Sequence, residues 1–190
     1  HSRSFRAVTS EGSRSERLFI GVPVTPDARA AISRALPKSL PGEPVAPDKW
    51  HFTIRFLGAT AGEARDQIIT QLSSSKLGLR FQARFSELGA FPSPRRARIL
   101  WLGVSEGGER LSELAAMAEA VARNAGFAPE SRRFTSHLTL SRIDPPQNIS
   151  ALVAQKHRYD IRMSVRELVL YRSRLGGGPA RYEEVARFEL

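Results

Sequence analysis

A chain of 190 residues that is 41% hydrophobic can build one sizeable core, or two small lobes sharing an interface, and is neither disordered nor long enough for two large independent domains. It has no cysteine, which removes disulfides, zinc–thiolate sites and cysteine nucleophiles together. The net charge of +10 comes from 29 Lys+Arg against 19 Asp+Glu, with Arg far outnumbering Lys. Guanidinium forks grip phosphate oxygens in pairs, so this excess points to a polyanionic partner, nucleic acid first, although a generally Arg-rich proteome gives the same bias. No apolar run is long enough to span a bilayer, and the first residues lack the layout of a secretory signal, so a cytoplasmic location is the expectation; a monomer is expected besides.

Residues 1–16 are polar, rich in Ser and Arg and aperiodic, and read as a flexible arm or a cloning remnant; residues 17–190 read as a single domain. RLFIGVPV (17–24) has the composition of a buried strand. Thr25 can cap a helix with Pro26 at its first position and Ala30, Ala31, Ile32 and Leu36 on its apolar face, and Pro37 stops it. The stretch 38–49, with three prolines and a glycine, is a turn-rich loop leading to the strand HFTIRFLG, which Gly58 ends. A second helix covers 62–73, with Ala64, Ile68, Ile69 and Leu72 on one side. Strands at 79–91 and 96–104 follow, separated by a Pro-Ser-Pro turn.

The second half repeats this plan: a helix over 108–124 closed by Gly126, the strand FTSHLTLSR, a short helix near 150–155, and strands at 160–175 and 180–190 around a glycine turn. Each half thus offers two helices and about four strands. The class is α+β, and the matched halves predict an internal duplication with a pseudo-twofold axis.

Four histidines are present, with His1 in the arm. Of the other three, His51 and His137 each have Thr two places on, as Thr53 and Thr139, and the two segments lie 86 residues apart. With seven Thr in the chain, chance gives such pairing on the order of one time in a few hundred. Along a strand, residues i and i+2 share a face, so each His projects beside its Thr while Phe52, Ile54, Leu138 and Leu140 face the core. A twofold relation then delivers one imidazole and one hydroxyl to a cleft from each side.

Two imidazoles near neutral pH can act as general base and general acid about a phosphorus, with hydroxyls and Arg on the nonbridging oxygens, in an in-line displacement at a phosphodiester. A metal site is the rival reading, but neither segment carries a carboxylate beside its His to complete a ligand set, so no metal and no cofactor are expected. His157, beside Arg158 and Tyr159, reads as structural or surface.

WHFTIRFLG (50–58) and HLTLSR (137–142), together with RLFIGVPV, resemble the 2H phosphoesterase superfamily, and within it the RNA 2′,3′-cyclic phosphodiesterases, also called 2′-5′ RNA ligases; the likeness runs from about Arg17 to Leu190. The resemblance implies a bilobal α+β fold of duplicated antiparallel sheets, with helices outside and the two H-x-T-x motifs facing across a central cleft. It implies hydrolysis of RNA 2′,3′-cyclic phosphate ends to 2′-phosphate, with reverse joining to a 2′-5′ linkage. His51 would protonate the leaving O3′, His137 would activate water, and Thr53, Thr139 and Arg142 would hold the phosphate. Strict alternation puts Arg142 opposite His137 and Thr139, so the arginine must curl back. Phe56 matches an aromatic motif position suited to stacking a base, but by parity it shares the face of Phe52 and Ile54, which favours the core. Arg132 and Arg133 divide evenly between contacting RNA backbone and being solvated. Two alternatives stand beside the main reading: a noncatalytic module that binds RNA ends, and a phosphodiesterase for small cyclic or 2′-5′-linked nucleotides.

Overall fold

The computed structural model describes residues 15–155 and 159–190. The chain runs β1 (Glu16–Pro23), α1 (Pro26–Ala35), β2 (Glu43–Pro44), β3 (His51–Thr60), α2 (Gly62–Ser74), β4 (Phe81–Ser93), β5 (Arg96–Glu106), α3 (Gly108–Asn124), β6 (His137–Gln147), α4 (Ser150–Ala154), β7 (Arg162–Val165), β8 (Glu167–Arg174) and β9 (Arg181–Glu189). Residues 1–14 of the expected arm, with His1, and His157 lie outside the described residues. The arm's boundary moves: Glu16 already pairs with Thr60 in the sheet and its carboxylate meets Arg65 and Arg172.

All the strands belong to one antiparallel sheet in the order β7-β4-β5-β6-β3-β1-β8-β9, with the short β2 on β6. Two four-stranded lobes therefore meet at β6 and β3, where Phe52 and Leu138 form the cross-strand pair. The class is α+β, as expected, but the lobes are not the two halves of the chain. The strand at 96–106, read from the sequence as the end of the first half, opens the second: β1 and β3 go to one lobe and β4 to the other, while β5, β6 and β7 go to one and β8 and β9 to the other. What reads as one long strand over 160–175 breaks at Arg166, so that β7 pairs with β4 in one lobe and β8 with β1 in the other. Composition cannot show such a break, because both pieces are equally apolar.

The helices cover the face that carries the apolar strand residues. Thr25 caps α1 through its Oγ1, which accepts the Ala28 amide at 3.4 Å, and Pro26 needs no partner at the first position. The helix buries Ala28 and Ile32, so Ala28 replaces the expected Ala30 on its inner side. Helix α3 buries Leu111, Leu114, Ala115, Ala118, Val121 and Ala122, a stripe at helical spacing, and ends where Gly126 takes φ 95°. Beneath the junction of the lobes Phe52 stacks on Phe85, with centroids 5.6 Å apart and planes 9° apart, so one core continues under both.

Candidate active site

The pair Phe52–Leu138 fixes what lies on the other face of the junction. In an antiparallel register it sets His51 across from Thr139 and Thr53 across from His137, so the four polar side chains of the two motifs project together. All four are half-buried.

Each imidazole is oriented by the same local device. Nδ1–H of His51 donates to the Lys49 carbonyl at 2.8 Å, and Nδ1–H of His137 donates to the Thr135 carbonyl at 2.8 Å. A carbonyl only accepts, so each neutral ring carries its proton on Nδ1 and leaves Nε2 as its acceptor nitrogen. Nε2 of His51 lies 2.9 Å from Thr53 Oγ1, whose hydroxyl donates to it in that tautomer.

Burial lowers the pKa of His51 below its ordinary 6.5; the Lys49 carbonyl works against this, and the charges of Arg142 and His137 add to it. His137 is also lowered, by burial against the pull of the Thr135 carbonyl. The repulsion between the imidazoles favours states in which only one carries the extra proton, as an acid–base pair requires.

Arg142 and Phe56 are both placed by β-bulges that the sequence hides. Opposite β1, Gly21 pairs with Thr53 and Ile20 with Arg55, so Ile54 is an inserted residue. Opposite β5, Trp101 pairs with Thr139 and Leu100 with Ser141, so Leu140 is inserted at the equivalent point. An inserted residue shifts the alternation by one, so that Arg55 and Ser141 turn to the core and Phe56 and Arg142 turn to the cleft. Arg142 thus shares the face of His137 and Thr139 without curling back. The core reading of Phe56 is overturned: its side is 59% exposed and its ring lies 6.0 Å from Phe19, which itself packs on His51 at 4.8 Å.

Different groups hold the two bulges. Arg55 turns inward to Glu119 of α3 at 2.6 Å, donates to Ala128 O at 2.8 Å and to the Phe56 carbonyl, and so ties the first motif to the loop before the second. Burial works against the Glu119 carboxylate, but the Glu130 amide and the Arg55 and Arg123 guanidiniums outweigh it and hold its pKa below the usual range. The second bulge is held by the proline-rich segment: Val45 N–H donates to Leu140 O at 2.8 Å, Ser141 Oγ donates to Pro41 O, and β2 pairs Glu43 with Arg142. Gly42, at φ 76°, passes so close to the Arg142 carbonyl that any Cβ there would collide with it.

Aromatic residues complete the surroundings, and the sequence reading missed them. Phe19, Tyr171 and Tyr182 pack around His51, with Tyr182 edge-on at 5.4 Å, and Phe91 stands edge-on to His137 at 5.1 Å beside Trp101. The Trp101 indole lies where a Cβ on Gly89 would be. The signal is the parity of Phe19 and Trp101 on the strands beside the two motif strands, and of Phe91, Tyr171 and Tyr182 on strands further out, legible only once the pairing is known. Arg132 and Arg133 are exposed in the loop before β6. Among the described residues no group of three His, Asp or Glu is placed to hold a metal ion, and no helix is long and apolar enough to cross a membrane.

Comparison with known proteins agrees with this architecture. Over 179 residues the chain is 31% identical to the RNA 2′,3′-cyclic phosphodiesterase of Archaeoglobus fulgidus, covering 91% of this chain and 99% of that protein. Over 114 residues it is 35% identical to the RNA 2′,3′-cyclic phosphodiesterase of Aeropyrum pernix, a match to 60% of this chain that spans only 64% of that relative's length. The crystal structure of Escherichia coli LigT complexed with 3′-AMP superposes with a TM-score of 0.74 at 26% identity, over 93% of this chain and 98% of that one. Residues 23–177 match the model of the 2′-5′ RNA ligase superfamily, and the chain belongs to that family.

Proposed function

We propose that the chain hydrolyses the 2′,3′-cyclic phosphate at an RNA end, leaving a 2′-phosphate, and runs the reverse joining to a 2′-5′ linkage. The observation that carries this is the pair of imidazoles with Nδ1 fixed by a carbonyl, on equivalent positions of two strands that meet at one residue pair. His137 Nε2 takes a proton from water as its oxygen attacks phosphorus; the P–O3′ bond breaks as His51 Nε2–H protonates O3′. Thr53, Thr139 and Arg142 hold the nonbridging oxygens, where negative charge accumulates, and Phe56 offers an exposed ring to a base. The assignment of acid to His51 and base to His137 follows the family resemblance. One chain supplies both imidazoles, so a monomer suffices, and we place the reaction in the cytoplasm. Relatives named for RNA 2′,3′-cyclic phosphodiesterase activity and one crystallised with a 3′-nucleotide support the substrate class.

The test is to incubate the purified chain with RNA ending in a 2′,3′-cyclic phosphate, resolving 2′- from 3′-phosphate products, with and without chelator. We expect 2′-phosphate in both. No opening of the cyclic end would overturn the reading, and complete loss in EDTA restored by zinc would overturn its metal-free mechanism.

A further inference from the structure

Beyond Arg142 the cleft face of the sheet continues into a strip of cations. On β5, Trp101 and Ile99 share that face, opposite Thr139 and Arg142 of β6. Toward the turn the register slips: Phe91 pairs with Ile99 and Pro92 with Ala97, so Arg98 is an inserted residue. The insertion shifts the alternation, and Ala97 turns into the core, where it is wholly buried, while Arg96 returns to the cleft face. Arg98 and Arg96 are both exposed, two residues or about 7 Å apart, and Arg95 precedes them in the turn. That turn is held in place, because Pro94 O accepts the Ile149 amide at 2.8 Å. Elsewhere on the sheet several arginines are neutralised: Arg84 by Glu106 and Asp160, Arg172 by Glu16 and Glu183, Arg187 by Glu167 and Glu184. Arg95, Arg96, Arg98 and Arg142 form no ion pair among the described residues. Glu43, opposite Arg142 on β2, and Asp144, two residues past it, stand close by in the register without meeting any of the four.

The place of this strip suits one ligand. In the antiparallel register Phe56 lies past Thr53 and Arg142 past Thr139, at opposite ends of the four motif side chains. With a terminal base against Phe56 and a cyclic phosphate at the histidines, the rest of an RNA strand leaves either by the Arg142 end or over the loop that holds Arg132 and Arg133. In that loop carboxylates are woven in, since Glu130 accepts the Arg132 amide and Glu119 accepts the Glu130 amide. The Arg142 end offers exposed guanidiniums on a strand, spaced by about one nucleotide step, which grip successive phosphates without reading bases. Resting on the phosphoesterase reading above, we propose that this strip carries the RNA strand on the 5′ side of the cyclic end, whose internal phosphates cross Arg98, Arg96 and Arg95 in turn. A cyclic mononucleotide has no internal phosphate to offer there. The strip therefore separates RNA ends from free nucleotides, and it does so through binding rather than through the chemical step.

The full chain is assayed on a tetranucleotide ending in a 2′,3′-cyclic phosphate, which has three internal phosphates, and on the cyclic mononucleotide of the same base, at about 50 to 200 mM salt. We expect a KM at least tenfold lower for the tetranucleotide, with kcat within about threefold. A plot of log kcat/KM against log salt should be steeper for it by about two, from about 0.7 per phosphate contact. Combining Arg95→Gln, Arg96→Gln and Arg98→Gln should abolish the extra slope and raise the tetranucleotide KM at least tenfold. Turnover of the mononucleotide should stay within about twofold, which also shows that the variant is folded. Each single variant should take about 0.7 from the slope. Arg34→Gln with Lys38→Gln, which removes charge at the end of α1, should change neither slope. Equal KM for the two substrates in the parent, or a tetranucleotide preference that survives in the triple variant, would overturn the proposal. So would an equal loss on both substrates. Opening of the mononucleotide in any of these cases leaves the hydrolase reading intact. If neither substrate is opened, the hydrolase reading fails, and fluorescence anisotropy of a 5′-labelled tetranucleotide still decides the strip: equal binding by parent and triple variant sinks it.

Discussion

Strands β3 and β6 share a backbone and differ in chemistry. Both begin with a histidine tied through Nδ1 to the carbonyl two residues earlier, both place a threonine beside it, and both insert one residue after that threonine. At the first position past the bulge that turns to the cleft, β3 presents Phe56 and β6 presents Arg142. At the position that turns to the core, β3 presents Arg55, paired with Glu119, and β6 presents Ser141, bonded to Pro41 O. His51 lies among Phe19, Tyr171 and Tyr182 and feels the charge of Arg142; His137 has Phe91 and Trp101 beside it. The duplicated backbone makes two equivalent nitrogen positions, and the unequal neighbours allow one to work as acid and the other as base.

The largest test of that comparison removes either nitrogen. His51→Ala and His137→Ala should each lower kcat about 10³-fold or more, and the double variant should cost little beyond either single one, because acid and base act in one step. Steady-state kinetics on a cyclic-phosphate RNA end decide this; additive losses would mean that the two act separately.

Arg142→Ala comes next, with an expected loss of about 10- to 100-fold in kcat/KM from the missing phosphate contact. It also has a pH signature. Both imidazoles have pKa values below 6.5, so a base that must be neutral and an acid that must be protonated place the optimum of kcat/KM on the acid side of 6.5. Arg142 lowers His51, so its removal should move the alkaline limb, set by the acid, to higher pH while leaving the acid limb in place. A rigid shift of both limbs would contradict the assignment. Gly42→Ala, which forces a side chain into the Arg142 carbonyl, should reproduce part of this loss, about tenfold, without touching either motif. Phe56→Ala should raise KM a few-fold with kcat little changed, as loss of a base contact rather than of a reacting group.

Arg55→Met tests the first bulge through stability. Leaving Glu119 without its inner partner should cost about 2–3 kcal/mol, less than the roughly 3–5 kcal/mol of a fully buried pair because Glu119 keeps some solvent contact, and lower Tm by roughly 5–10 °C in a thermal melt. The corresponding Ser141→Ala should cost less, about 1 kcal/mol. The smallest effect is the linkage of the histidines themselves. Their folded pKa values lie below the unfolded 6.5, so the unfolded chain binds more protons in the window below 6.5. Their contribution is full above pH 6.5 and is lost as pH falls from there through the folded values. Denaturant melts across pH 5–8 should show a shallower acid loss in His51→Asn than in the parent.

The motif pairs were legible because His-x-Thr on an alternating strand needs only its own residues to declare a face. Thr25, Pro26 and Gly126 likewise mark helix ends by local chemistry. The bulges were not legible, because Ile54 and Leu140 are ordinary strand residues and their insertion is enforced by Glu119 and Val45, far away in the chain. That single omission produced both the wrong face for Phe56 and the puzzle over Arg142. The break at Arg166 escaped notice for the same reason: pairing with two different lobes is a property of the partners.

The exchange of outer strands binds the two halves to one another. The segment β1 to β4 holds one histidine and a fourth strand that lies on the neighbouring lobe rather than its own. Each lobe is therefore closed by strands from both halves of the chain, so removing either half opens the sheet of the other and takes one imidazole with it.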